Sequence, residues 1–311
     1  MESSVFEMPD AEAFGHSFRA ALDAMPQPVF AIIDGGRFDD IEDELSDAGI
    51  DSRSLYLKGG DAAMRRDGPW LVALREIDKR KQHLVKLALE KPCAVFWSCP
   101  EGEDALWRHL RTINRVRIAD RRPKSKPEGF EWVLFRHADP SVLAQTLPAF
   151  ERAHFARFFG PATSVLFFPE EEYLGRPGWL RARRAEALPA PPRGPLTLDH
   201  AALVRIEQRR ADAIRYGIVS HLKETAPQDF GPLSDERIEA AVTRSEASAL
   251  ELKIRTAENR RKWAWLDLAS DGNFSRSRPV REHLTRPNAD HDWDMDALIA
   301  LAKKEMRREA R

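Results

Sequence analysis

The apolar run at residues 30–33 ends in Asp34-Gly35-Gly36 and passes at once into a helical pattern, "FAIIDGGRFDDIEDEL". A strand, then glycines, then a helix is the order in which many phosphate sites are built, because free amides at a helix start attract anions. The residues that follow argue against a phosphate here. Neither G-x-G-x-x-G nor G-x-x-x-x-G-K-[ST] is present. Asp39, Asp40, Glu42, Asp43 and Glu44 crowd the first helical turns, where carboxylates already complement the positive end of the helix dipole. Arg37 is the one local counter-charge. The stretch reads as a tight strand-to-helix turn that Asp34 fixes. A divalent cation on Asp34 with Asp39 or Asp40 is the competing chemistry, so a phosphate- or metal-using enzyme centred on this turn is the alternative reading.

Other reactive residue types lack the partners that chemistry needs. In "DHDWDMD", His291 stands among four aspartates from Asp290 to Asp296, a set that metals favour, but a dipole-matched helix start explains the same aspartates. Ser98 beside Cys99 lacks the G-x-S-x-G elbow. His109 and His137 belong to no H-E-x-x-H or C-x-x-C pattern and suit core or boundary positions as well as general bases. The basic segment "RIADRRPKSKPEGF", residues 117–130, has no aromatic interleaving before Phe130 and fits a solvated hairpin loop better than a nucleic-acid surface. These readings predict a protein that is not an enzyme and holds no cofactor and no metal.

The elements that would position such residues fall into two kinds. Strands are predicted at 29–33, 54–57, 70–74, 94–98, 116–118, 132–136 and 164–168. Helical patterns lie between them: Phe38, Ile41 and Leu45; Leu84, Leu87 and Leu89; Leu106, Leu110 and Ile113; and a broken one from Val142 through Phe159. A leading helix over 11–25 carries Phe14, Phe18, Leu22 and Met25 at helical spacing. The alternation predicts an α/β domain over 1–186, a mixed sheet covered by helices. Pro189, Pro191, Pro192 and Pro195 then mark a connector over 187–197. Beyond it, 198–311 reads as an all-α domain. One helix from Leu203 to Leu222 stops near "TAPQDFGP", residues 225–232, where Pro227, Gly231 and Pro232 break the periodicity, and a long helix capped by Ser234 carries a heptad-like seam from Ile238 to Leu266. Small and polar residues in half the seam favour packing within the domain over a self-associating coiled coil.

Forty-nine Lys and Arg against 50 Asp and Glu leave a net charge of −1, which gives no electrostatic reason for a nucleic-acid or membrane partner. Cys93 and Cys99 lie too far apart along one strand for a disulfide and read as buried free thiols. The acidic N-terminus has no apolar signal core, and no apolar run approaches about 18 residues. The expected location is the cytoplasm.

Several phrases occur in a telling order: "FAIIDGGRFDD", "SRSLYLKGG", "DGPWLVAL", "PCAVFWSC", "LWRHLRTINRV", "WVLFRHADPSVLAQTLP" and "FARFFGPATSVLFF". This succession, over 29–168, resembles the bacterial type VI secretion effector-loading chaperone and adaptor family, first catalogued as a domain of unknown function. The resemblance places scaffold positions on Asp34, Gly35 and Arg37, on Gly68, Pro69 and Trp70, on Arg136, Asp139 and Pro140, and on Phe159 and Gly160. His137-Ala138 stands where the family often has an aromatic pair. The resemblance implies a cytoplasmic, non-catalytic protein, monomeric until bound, that holds one effector toxin and passes it to the VgrG spike protein. Trp263, Trp265 and Trp293 are the candidate partner-binding aromatics, with packing inside the helical domain as the alternative for the first two.

Overall fold

A computed structural model describes residues 6–7, 14–56, 61–74, 79–120, 129–174, 178–286 and 290–309. Residues 11–13 of the leading helix, Leu57, and 121–128 of the basic segment lie outside these. The expected class holds: an α/β region is followed by an all-α one. The chain divides into two compact units, Met1–Arg210 and Ala211–Arg311.

In the first unit, the strands are β1 (Phe6–Glu7), β2 (Val29–Asp34), β3 (Arg53–Ser54), β4 (Pro69–Leu74), β5 (Ala94–Ser98), β6 (Arg115–Ala119), β7 (Phe130–Leu134), β8 (Ser164–Phe167), β9 (Leu180–Arg183) and β10 (Thr197–Leu198). A seven-stranded sheet has the order β1-β9-β8-β5-β2-β4-β3, and every pairing in it is antiparallel. A second sheet has the order β10-β6-β7, with β10 parallel to β6.

β2 is buried along its whole length, and its period of two feeds two cores. Phe30 and Ile32 point into one, with Val95 and Trp97 of β5 and Val165 and Phe167 of β8. Val29, Ala31 and Ile33 point into the other, with Ala94, Phe96 and Leu166. Burial on both faces is why these strands read as unbroken apolar runs.

Around the sheets lie α1 (Phe14–Asp23), α2 (Ile41–Asp47), α3 (Ala62–Arg66), α4 (Lys79–Glu90), α5 (Glu103–Arg111), α6 (Pro140–Thr146), α7 (Arg152–Phe159) and α8 (Glu171–Leu174). The second core takes Phe18 and Leu22 of α1 and Ile41 and Leu45 of α2, the faces that helical spacing predicted. The first core takes Leu106 and Leu110 of α5 and Phe155, Phe158 and Phe159 of α7. The proline-rich stretch contributes at its end to this unit, since Leu196 and Leu198 are buried in the first core.

The boundary between the units falls inside α9 (His200–Phe230). The second unit adds α10 (Asp235–Glu251), α11 (Ala257–Ala269), α12 (Asn273–Arg276), α13 (Arg278–Leu284) and α14 (His291–Glu309). One expectation holds and one is corrected here. α9 ends at Phe230, within the stretch where it was expected to stop; Pro227 is accommodated inside it, and Gly231 follows its last residue. There the indole N–H of Trp265 donates to Asp229 (3.1 Å) and the Trp265 ring packs on Phe230. The seam from Ile238 to Leu266 is not one helix. It breaks after α10, where Lys253 takes φ 60° and Thr256 caps α11 through the amide of Asn259. Trp263 of α11 lies against α10 and donates to the hydroxyl of Ser248 (2.9 Å).

Candidate functional site

The site begins at the last residue of β2. Gly35, Gly36 and Arg37 form a single 3₁₀ turn, and α2 follows with Asp40 as its cap, accepting from the amides of Glu42 (3.0 Å) and Asp43 (3.2 Å). Asp34 makes no side-chain capping bond to the turn, and its carboxylate lies 4.0 Å from the guanidinium of Arg37, the turn's last residue. Its carboxylate accepts from the guanidinium of Arg136, which lies just beyond β7.

Arg136 also approaches Asp139 (3.6 Å), and Arg37 reaches Asp139 (3.4 Å) and Glu170 (2.6 Å). Two arginines and three carboxylates from separate parts of the chain thus form one network. Asp34 and Asp139 are buried within it, whereas the Arg136 side chain is 45% exposed. Burial pushes the Asp34 carboxyl above the usual carboxylate range; Arg136 pulls it down, and the charge of Asp139 adds to the rise. The other oxygen of Asp139 caps α6 through the amides of Ser141 (2.9 Å) and Val142 (3.4 Å), and Pro140 occupies the first helical turn, where a missing N–H costs nothing.

The neighbouring phrase closes the turn from the other side. The amide of Gly35 donates to the carbonyl of Gly68 (3.0 Å), and a Cβ on Gly35 would lie 2.2 Å from the carbonyl oxygen of Arg66. Pro69 opens β4 opposite Asp34, and Trp70 follows it into the second core. The amide of Asp34 donates to the carbonyl of Cys93 (2.8 Å). A phosphate or a cation would have to displace these partners, because the Gly35 amide and the Oδ2 oxygen of Asp34 are already paired. The chemistry this geometry performs is the tying together of loops.

The remaining candidates are scattered. Phe159 and Gly160 end α7, where Gly160 has φ 51° and abuts the ring of His109. His109 donates through Nε2 to the carbonyl of Phe158 (2.7 Å), and His137 bonds Asn114 (2.7 Å). Burial pushes His109 down to about 4 and His137 down to about 3, so both rings are neutral. The hydroxyl of Ser98 donates to the carbonyl of Pro26. Burial raises both thiols, Cys93 to about 12.

In the helical unit, Asp290 caps α14, and Asp292 accepts from Asn259 (2.6 Å). Asp294 accepts from Arg286 and pairs with His283, and Asp296 pairs with Lys262. Among the described residues, no group of three or more His, Cys, Asp or Glu is placed to hold a metal ion. Trp263 and Trp265 are buried in the unit's own core, so packing within the domain accounts for both; Trp293 is 64% exposed. No helix among the described residues is long and apolar enough to cross a membrane.

Sequence reasoning missed Glu170 and Ser141, whose hydroxyl accepts from the Glu170 amide (3.2 Å). Nothing local marks the Ser141 hydroxyl or Glu170 as members of the network, because they meet only through the tertiary fold.

The phrases that meet at this network fall largely within one segment. Residues 29–157 match the family model of a domain of unknown function, DUF4123. The DUF4123 match includes Asp34, Gly35, Arg37, Gly68, Pro69, Trp70, Arg136, Asp139 and Pro140, and it ends before Phe159 and Gly160. It is shorter than the resemblance over 29–168 and does not reach the helical unit. No curated protein and no solved structure matches the chain.

Proposed function

We propose that this chain is a non-catalytic cytoplasmic adaptor that binds a type VI secretion effector toxin and helps load it onto the VgrG spike protein. The observation that carries the reading is the DUF4123 match over 29–157, in which the recurring phrases meet as scaffold. A metal- or phosphate-using enzyme at Asp34-Gly35-Gly36 gains no support, since the groups it would need are engaged with Arg136, Gly68 and Cys93.

The experiment is co-expression of the full chain with the toxin and spike protein encoded in neighbouring reading frames, followed by capture on a tag carried by this chain. The adaptor reading expects the toxin to co-purify and the spike protein to join the complex. Recovery of neither would end it. The full chain is required, because a cut inside 188–195 would separate the first core from Leu196, Leu198 and Ala202.

A further inference from the structure

We infer that the free edge of β7 is a docking strand for an extended, acidic and apolar segment of a partner protein. The inference deepens the adaptor reading and rests on it only for which protein supplies the segment.

The first support is the ladder between β6 and β7. The amide of Phe135 donates to Asn114 (2.9 Å) and that of Asp120 to Gly129 (2.8 Å), and the register pairs Val116 with Val133 and Ile118 with Glu131 in the same phase. Bonding alternates along an antiparallel pair, so Phe130, Trp132 and Leu134 turn their main-chain N–H and C=O groups away from β6. β7 ends its sheet, and among the described residues no strand lies beyond it.

The same three residues share one face, where Trp132 is 51% and Leu134 58% exposed. An exposed apolar edge without proline or lysine lacks two common devices that keep edges from pairing, and "FEWVL" has neither. Strand addition takes its affinity from main-chain bonds and its specificity from alternate side chains.

Charge selects the occupant. The guanidinium of Arg115 lies 5.4 Å from the Trp132 ring centre, and that of Arg117 lies 4.6 Å from that of Phe130. The Arg115 charge is thereby carried from β6 over β7, within reach of a carboxylate on a strand about 4.8 Å further out. Single-stranded nucleic acid is disfavoured, because the rings on which bases would stack already carry guanidinium groups.

The test titrates the full chain with the peptide acetyl-Glu-Ile-Glu-Val-Glu-Ile-amide and follows amide hydrogen exchange by NMR. The inference expects exchange at Phe130, Trp132 and Leu134 to slow by about tenfold or more, with no such effect from a peptide N-methylated at alternate amides. Trp132→Glu/Leu134→Glu, at two exposed positions and with its fold checked by circular dichroism, should abolish the slowing. Unchanged exchange at the three amides, equal slowing by a peptide with lysine for glutamate, or protection by a short oligothymidylate alone would each overturn the inference. So would protection that rises with the chain's own concentration, the mark of a second copy on this edge. Toxin capture with these amides unprotected would remove the surface and leave the adaptor reading; peptide binding without toxin or spike capture would do the reverse.

Discussion

Arg136 and Asp34 stand 102 positions apart in the chain, and their ion pair joins the end of the interior strand β2 to the segment that leads into α6. Removing the arginine leaves a buried carboxylate with Arg37 as its nearest remaining cation, at 4.0 Å. Breaking such a pair costs about 3–5 kcal/mol when both partners are buried, and the exposure of Arg136 lowers the expected loss for Arg136→Ala to about 2 kcal/mol. Chemical denaturation measures it. In a cycle with Asp34→Asn, the two losses should fall short of additivity by about 1 kcal/mol or more; additive losses would show that the pair does not couple.

Two glycines offer a paired comparison. Gly35→Ala sets a Cβ against the main-chain oxygens of Arg66 and Gly68, which cannot yield without moving the turn. Gly160→Ala places its Cβ 2.3 Å from the His109 ring, at a positive φ that costs about 1–2 kcal/mol for any other residue. His109→Ala should therefore recover part of the stability lost in Gly160→Ala and none of that lost in Gly35→Ala. Thermal melts of the three single variants and the two doubles carrying His109→Ala decide it.

Much of the scaffold was legible because its signals are local. Asp139-Pro140 as cap and first turn, the buried faces of α1 and α2, and the all-apolar runs of β2, β5 and β8 each follow from spacing and residue type. What the chain concealed depends on contacts distant in sequence. β9, "LRAR", looks like surface until β1 and β8 pair with it, and β10 is two residues beside β6. Strand β7 sits at 130–134 rather than 132–136, so that Arg136 leaves the sheet and turns to Asp34. The heptad seam misled because spacing carries no sign of the positive φ at Lys253, which divides it.

That residue gives a prediction of opposite sign. Lys253 holds the left-handed conformation between α10 and α11, where glycine fits without a Cβ penalty. Lys253→Gly should raise stability by about 0.5–1 kcal/mol, after the greater chain entropy of unfolded glycine is counted. A lower denaturation midpoint would mean that the lysine side chain contributes more than its backbone costs.

The buried histidines set a pH dependence. Each ring is neutral when folded and protonates near its ordinary value of 6.5 when unfolded, so the unfolded state binds more protons below that pH. Their contribution is complete above about 6.5 and is lost as pH falls toward about 4 for His109 and about 3 for His137. The loss is on the order of several kcal/mol in total. His137→Gln, which retains a donor for Asn114, should flatten this acid limb in pH-dependent denaturation; an unchanged slope would show that the ring titrates normally.

The proposed adaptor function requires that this chain bind and hand over a protein while its charged network serves only as scaffold. The most direct measurement is size-exclusion chromatography with light scattering on the full chain mixed with the neighbouring-frame toxin, for the wild type and for folded Asp34→Asn. The proposed function predicts a discrete complex of the same mass in both. The absence of a complex with the wild type, or its loss in a folded Asp34→Asn protein, would contradict it.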